Sequence, residues 1–313
     1  MTTYKEIRGT NIEAVASDPS NPVEGQVWYN TTSNVVKGLI INVGSWATGG
    51  DLNTARNNGG LAGCGTQTAG LAFGGYDPTG KTEKYNGSNW TEVNDMNTGR
   101  GYLAGAGTQT AALAFGGAGA PAAKVANTET FNGTNWTAVN DLQEASQKLA
   151  GVGISTAALA FGGDDSPTKT QNWNGTNWTE VNGLNTGRRF LAGAGTNTAA
   201  LGFGGSVSPK RQTELWNGTN WTEVNDLNTA RQQLAGAGTQ TAALGFAGAT
   251  PPDTGATETW NGTNWTTVAS ASVAATKLAG AGTRALGLKI GGKNQDSTEE
   301  FSSGPSTVTF TVS

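Results

Sequence analysis

An all-β fold of six four-stranded sheets arranged radially is predicted, and three observations predict it. Of 313 residues, 48 are glycine and only 13% are charged, with Thr, Asn and Ala filling much of the rest. Gly, Asn and Thr rank low in helix propensity and suit short strands joined by tight turns. Ten tryptophans and nine phenylalanines supply a core that a disordered polar chain would lack. Second, the marker LAG(A/C/V)G recurs at Leu61, Leu103, Leu149, Leu191, Leu234 and Leu278, at intervals of 42, 46, 42, 43 and 44 residues. Third, the decamer WNGTNWTEVN stands at Trp173–Asn182 and again at Trp216–Asn225, with close copies at Tyr85, Phe131 and Trp260. A unit of this length with four short strands matches a β-propeller blade.

The elements follow in order. Before the repeats, DPSNPVEGQVWYNTTSNVVKGLIIN reads as a small hairpin, Gln26–Tyr29 against Val35–Ile41, because alternating apolar residues flank a polar turn. Within a unit, the first strand lies around LAGAG and the second is AALAFGG. The third, such as Thr257–Asn261, runs into the fourth through Asn-Gly. Asn-Gly between two strand-like runs signals a two-residue type I′ turn. With Asn261-Gly262 as that turn, Trp260 faces Thr263 and Glu258 faces Trp265. The two tryptophans are then diagonal neighbours on one face. The decamer is on this reading a packing part and not a site used five times.

Five units carry the full aromatic–NG–Trp hairpin. The sixth, from Leu278, ends at STEEF without NG or Trp, while GSWATGGDLNTAR (Gly44–Arg56) has a Trp and the DLNTAR tail without earlier strands. Together the two fragments make one blade, with Trp46 beside Phe301, so the expectation is six blades closed by a borrowed N-terminal strand. A linear solenoid would leave both fragments as raw edges. The expected division is 1–43 as an N-terminal β-module, 44–303 as the propeller and 304–313 as a C-terminal strand (STVTFTVS), paired with the N-terminal hairpin.

The double glycine ending the second strand (Gly74-Gly75, Gly116-Gly117, Gly162-Gly163, Gly204-Gly205, Gly291-Gly292), followed by an aromatic and a tryptophan, resembles the kelch repeat. The fifth copy departs with Ala247-Gly248. The stretch PVEGQVWYN resembles a segment of bacteriophage tail-fibre and other virion proteins, where it lies near the end that attaches to the particle. The Asn- and Thr-rich units are similar to those predicted in structural proteins of marine phages. These resemblances imply a virion location, at the tail rather than the head. They also imply other virion proteins as partners of the N-terminal segment, and a homo-oligomer of this chain on the particle.

Composition excludes much else. Net charge is −4 with no basic run, so no nucleic-acid partner is expected. The start MTTYKEIRGTN lacks the apolar core of a secretory signal, and no run is long and apolar enough for membrane insertion. The chain has no histidine and one cysteine, Cys64, which replaces the small residue of the other copies. Imidazole metal sites and Ser–His or Cys–His nucleophiles are thereby ruled out, and no cofactor is expected. Copper-oxidase propellers need histidines, and the Ser-x-Asp-x-Gly-x-x-Trp box of sialidases is missing. The pair Asp164-Asp165 lies in a polar loop, and a glycosidase role for it is disfavoured. The chain reads as a non-enzyme. Repeated glutamates (Glu83, Glu129, Glu214, Glu258 and Glu299, with Gln171 in one copy) and arginines (Arg56, Arg100, Arg188, Arg231) read as structural ion pairs between blades rather than a carboxylate ring for cations. The Asn-Gly-Thr and Asn-Trp-Thr strings, which match glycosylation sequons, read as turn and strand chemistry.

Comparing the copies separates two faces. The turns GTQTAA and NGTN are nearly the same in each copy and lie on one face of a blade. The loops between the second and third strands, and the crossovers, lie on the other face and differ freely. Loops on a rigid frame are where recognition concentrates. The candidate contacts are Tyr76, Asp77, Tyr102, Lys124, Asp165, Arg188, Arg189, Phe190, Lys210, Arg211 and Asp253. Tyrosine and arginine suit a host-surface glycan or protein. The expected function is host adhesion by a virion protein of the tail-fibre type. A purely architectural fibre or decoration role, a kelch-type interaction module and a carbohydrate-active enzyme are the alternatives.

Overall fold

Each LAG marker opens the first of four antiparallel strands. In the first repeat these are Ala62–Thr66, Ala69–Phe73, Thr82–Tyr85 and Trp90–Val93, hydrogen-bonded in that order. The same order is repeated in the next four units, whose first strands are Ala104–Gly107, Ala150–Ile154, Ala192–Gly195 and Ala235–Thr239. The structure, a computed structural model, describes residues 12–20, 26–56, 60–75, 80–119 and 123–310, and no described residue is helical. Repeated four-stranded sheets without helices define an all-β, propeller-like repeat fold.

The chain divides into two compact units, Met1–Val43 with Ser303–Ser313, and Gly44–Ser302. Ser303–Ser313, the stretch of the expected C-terminal strand, falls in the same unit as the N-terminal module. In the smaller unit, Val27–Asn30 pairs antiparallel with the start of Val35–Thr48, Val27 opposite Gly38, close to the expected hairpin. A short strand, Glu13–Val15, adds in parallel to Val27–Asn30. Asp18 accepts hydrogen bonds from the buried Trp28 indole at 3.0 Å, from Asn30 at 2.8 Å and from Lys37 at 2.8 Å. The Lys37 contact, with those of Asn30 and Trp28, brings the Asp18 carboxyl down to about 2.

In the larger unit the sixth sheet is assembled from two places in the chain. Ala279–Gly282, Leu286–Gly292 and the first part of Gln295–Phe310 are followed by the Gly44–Thr48 end of Val35–Thr48. Trp46 and Phe301 lie side by side there, ring centroids 5.2 Å apart. The first strand of each repeat lies against that of the next, and Ala279–Gly282 lies against Ala62–Thr66.

The core sits between successive sheets. A phenylalanine from the second strand of one repeat packs on the outer tryptophan of the following one, as in Phe73–Trp136 at 5.0 Å and Phe161–Trp221 at 4.9 Å. Trp46 meets Phe246 in the same way at 5.3 Å. Each such pair contributes about 0.5–1.5 kcal/mol beyond its area. The outer tryptophans also donate their indole N–H to a threonine of the preceding repeat: Trp136 to Thr82, Trp178 to Thr128, Trp221 to Thr170 and Trp265 to Thr213, at 2.9–3.1 Å. Trp46 donates to Thr257 and Trp90 to Thr298 at the same spacing. Gln67, whose amide reaches Gly287 and Phe301 carbonyls, likewise repeats the bonds of Gln109 to Gly70 and Tyr85.

The hairpin register departs from expectation. Trp260 pairs with Trp265, and Glu258 with Thr267. The loop is four residues, Asn261–Asn264, because the Asn261 side chain accepts the backbone N–H groups of Thr263 and Asn264 at 2.9 and 2.8 Å. Gly262 takes the positive φ (94°), whereas Asn261 does not, so a type I′ turn is absent. The two rings are direct cross-strand partners, 5.4 Å apart.

The repeated Arg and Glu are buried pairs. Arg56–Glu83 is 2.6 Å, Arg188–Glu214 2.8 Å and Arg100–Glu129 3.3 Å, and Arg231 bonds Glu258. Burial lowers these guanidinium pKa values and the facing glutamates oppose that. Each arginine lies on the crossover leaving one sheet, and its glutamate on the third strand of the next, so the pair fixes how the chain passes between them. In the third repeat Ser146 and Gln171 replace both partners, and Gln171 still accepts the Gln143 N–H at 2.9 Å. In the sixth, Ala275 stands at the arginine position and Lys289 supplies the cation to Glu299, 2.9 Å away.

Candidate functional site

The six marker leucines are buried, and the residues just before them are Gly60, Tyr102, Lys148, Phe190, Gln233 and Lys277. These twelve residues line one cavity of about 410 Å³, counting the space open to solvent. Backbone bonds tie the six positions in sequence. The N–H of Tyr102 donates to the Gly60 carbonyl at 2.7 Å, Lys148 to Tyr102 at 2.8 Å and Phe190 to Lys148 at 2.8 Å. Gln233 follows to Phe190 at 2.9 Å and Lys277 to Gln233 at 3.2 Å.

To make those bonds the backbone turns left-handed, with φ of 53° at Tyr102, 62° at Lys148, 57° at Phe190, 57° at Gln233 and 58° at Lys277. An L-residue with a Cβ is disfavoured there by about 1–2 kcal/mol. At the end of the second strand a similar φ of 56–72° falls on Gly74, Gly116, Gly162, Gly204 and Gly291, with Ala247 in the fifth copy, and Asn34, Asp165, Lys210 and Asn294 take similar values. Gly65, Gly107, Gly153, Gly195, Gly238 and Gly282 fill a different recurring position late in the first strand, at φ of 98–115°. Before the leucines, five copies keep a long side chain despite the strain, and the side chain changes from copy to copy. Strain of this kind concentrates at functional sites.

The side chains make a mixed cationic and aromatic surface. Lys148 Nζ lies 5.7 Å from the Tyr102 ring centre and 5.2 Å from that of Phe190, and bonds Asp164 at 2.6 Å. Tyr102 and Phe190 meet edge to face at 5.9 Å. Lys277 Nζ stands 5.5 Å from the Tyr102 ring. Arg189 bonds the other Asp164 oxygen at 2.8 Å and lies 5.9 Å from the Phe190 ring. Burial pushes the Asp164 carboxyl up, but the Lys148 and Arg189 hydrogen bonds outweigh it and hold the group below its usual value. Among the described residues no carboxylate lines the cavity itself. The surface can hold a ligand by charge, stacking and hydrogen bonds.

Of the residues expected from sequence, Tyr102 and Phe190 lie in this cavity and Arg189 beside it. Lys124 and Asp165 form an ion pair with each other. Arg188 is a correction: its side chain is fully buried, bonded to Glu214, Gly204 O and Gln212 O, and presents nothing to a ligand. Lys210, Arg211 and Asp253 lie on loops that do not line the cavity, Arg211 and Asp253 exposed. Tyr76 and Asp77 fall outside the described residues. Lys148, Gln233 and Lys277 were not among the expected contacts. Their signal was available, since the position before each LAG marker reads G, Y, K, F, Q, K between near-identical neighbours.

Cys64 is buried, which pushes its thiol up to about 12. Among the described residues no cluster of three or more Cys, Asp or Glu side chains could hold a metal, and no helix is long and apolar enough to cross a membrane. No family model matches the chain, and no curated protein is similar to it.

Proposed function

We propose that Gly44–Ser302 is a closed, six-bladed, kelch-like β-propeller, and that the cavity before the leucines is the mouth of its axis and a recognition site. The chain is then a non-enzymatic virion protein of a bacteriophage tail, carried by its N-terminal module and presenting the mouth to the host surface. One observation carries the recognition reading. Five long side chains, varied between near-identical neighbours and held in left-handed backbone, converge on one cavity.

Closure is supported by the two bonds that join the ends of the array, Trp46 to Thr257 and Trp90 to Thr298, which match the four interior ones. The virion setting is supported by the likeness of PVEGQVWYN to virion segments. The test is binding of the labelled full chain to host cells and to a glycan array. Tyr102→Ala and Phe190→Ala are expected to reduce retention at least tenfold with unchanged melting. Retention that survives both changes contradicts the reading.

A further inference from the structure

We infer that the third repeat binds a primary carboxamide, the planar CO–NH2 group, in a socket that arginine fills in four other repeats.

Those arginines define the socket. Arg188 Nη1 donates to Gly204 O at 3.2 Å and to Gln212 O at 2.6 Å, and its Nη2 meets Glu214 Oε1 at 2.8 Å. Arg56 bonds Gly74 O, Lys81 O and Glu83 in the same way. In the third repeat Ser146 takes the arginine position, and a pocket lies there, lined by Ser146, Ala160, Gly162, Lys169 and Gln171 with Glu144. The carbonyls of Gly162 and Lys169 correspond to those of Gly204 and Gln212. In each pair the glycine N–H donates to the second carbonyl, at 3.0 Å. Two acceptors therefore stand side by side without the guanidinium they receive elsewhere.

Gln171 adds a donor. Its Oε1 accepts the Gln143 N–H at 2.9 Å, the bond that Glu214 Oε2 makes with Asn185 at 2.8 Å in the next repeat. The amide nitrogen is thereby placed where Glu214 presents Oε1 to its arginine. Gln171 is 4% exposed, and among the described residues nothing accepts from this NH2. A buried donor of this kind calls for an acceptor.

Two acceptors and one donor select the ligand. A guanidinium would set N–H against the Gln171 NH2, and a carboxylate would set oxygen against both carbonyls. The nearby carboxylates draw no cation, because Glu144 is held by Ser166 at 3.1 Å and Lys169 at 2.7 Å, and Asp164 by Lys148 and Arg189. A primary carboxamide meets all three demands. Its nitrogen replaces Nη1 and donates to Gly162 O and Lys169 O, while its oxygen replaces Nη2 and accepts from Gln171. The pocket is built from the third repeat and the crossover entering it, so it depends on neither closure nor the mouth.

The experiment is saturation-transfer NMR of the full chain with acetamide, read at its methyl group, beside methylguanidinium. Acetamide is expected to bind about tenfold more tightly than methylguanidinium, and Gln171→Glu to reverse the preference. Ser146→Arg with Gln171→Glu, which copies the Arg188–Glu214 pair, should abolish both signals with melting no lower than wild type. Glutamine capped at both ends identifies the source: tighter binding than acetamide assigns the socket to a peptide side chain, and equal or weaker binding to a free small amide. Preference of the wild type for methylguanidinium overturns the carboxamide class. Acetamide binding that survives the double change lies outside the socket and overturns the inference. Absence of transfer to acetamide leaves the socket to water and overturns it as well.

Discussion

Trp90 Nε1 donates to Thr298 Oγ1 at 2.9 Å, joining residues 208 positions apart and linking the first repeat to the sixth. The bond has the partners and length of Trp178 to Thr128 in the interior of the array. Nothing local distinguishes the two, although one joins neighbours in sequence and the other joins the ends.

Equivalent bonds should have equivalent energies. Thr298→Val and Thr128→Val each leave a buried indole N–H unsatisfied, which costs about 1–3 kcal/mol. Urea denaturation is expected to give losses within about 0.5 kcal/mol of each other. A negligible loss for Thr298→Val beside a clear one for Thr128→Val would mean that the end-to-end contact carries no stability.

The buried ion pairs predict strong non-additivity. Glu214→Gln alone leaves the Arg188 guanidinium buried against a neutral partner, and breaking such a pair costs about 3–5 kcal/mol. The double change Arg188→Ser with Glu214→Gln copies Ser146 and Gln171 of the third repeat, where the amide oxygen still accepts a crossover N–H. The double variant is expected to be more stable than the single Glu214→Gln. A double-mutant cycle that simply adds the two losses would contradict this account of the third repeat.

The proposed mouth predicts a trade between stability and binding. Gln233→Gly relieves a left-handed φ of 57°, keeps the N–H bonded to Phe190 O, and is expected to raise stability by up to about 1 kcal/mol. It should weaken ligand retention at the same time. A destabilised Gln233→Gly protein, in thermal or urea unfolding, would remove strain from the argument.

The N-terminal unit should respond to acid. Asp18 is depressed in the folded state to about 2 from 3.8, so its contribution is fully present above pH 3.8 and is lost as pH falls through about 2. Trp28 donates its indole to Asp18, so its fluorescence should change over that window, and Asp18→Asn should show no such transition. A wild-type signal flat from pH 4 to 2 would contradict the assignment.

Repetition made the sheets legible in the sequence. Six markers and five decamers placed the strands, and the Trp-bearing fragment at Gly44–Arg56 pointed to the sheet shared with Phe301. The hairpin register is not legible from Asn-Gly, which is only part of the turn. The Asn261 carbonyl oxygen, by accepting two N–H groups, enlarges the loop to Asn264 and moves Trp265 opposite Trp260. The mouth was half legible. Tyr102 and Phe190 stood out as aromatics in variable stretches, whereas Lys148, Gln233 and Lys277 needed the φ angles and the shared cavity. Arg188 failed as a contact because its spacing served burial, while its neighbour Arg189 reaches solvent.

The proposed mouth exists only if the six first strands surround one axis, and amide hydrogen exchange tests that directly. A closed array has no terminal repeat, so Ala62–Thr66 and Ala279–Gly282 should be protected as strongly as Ala150–Ile154, within about threefold in rate. An open array frays from its ends. Exchange at least tenfold faster in the first and sixth strands than in the third would contradict closure and the recognition site built on it.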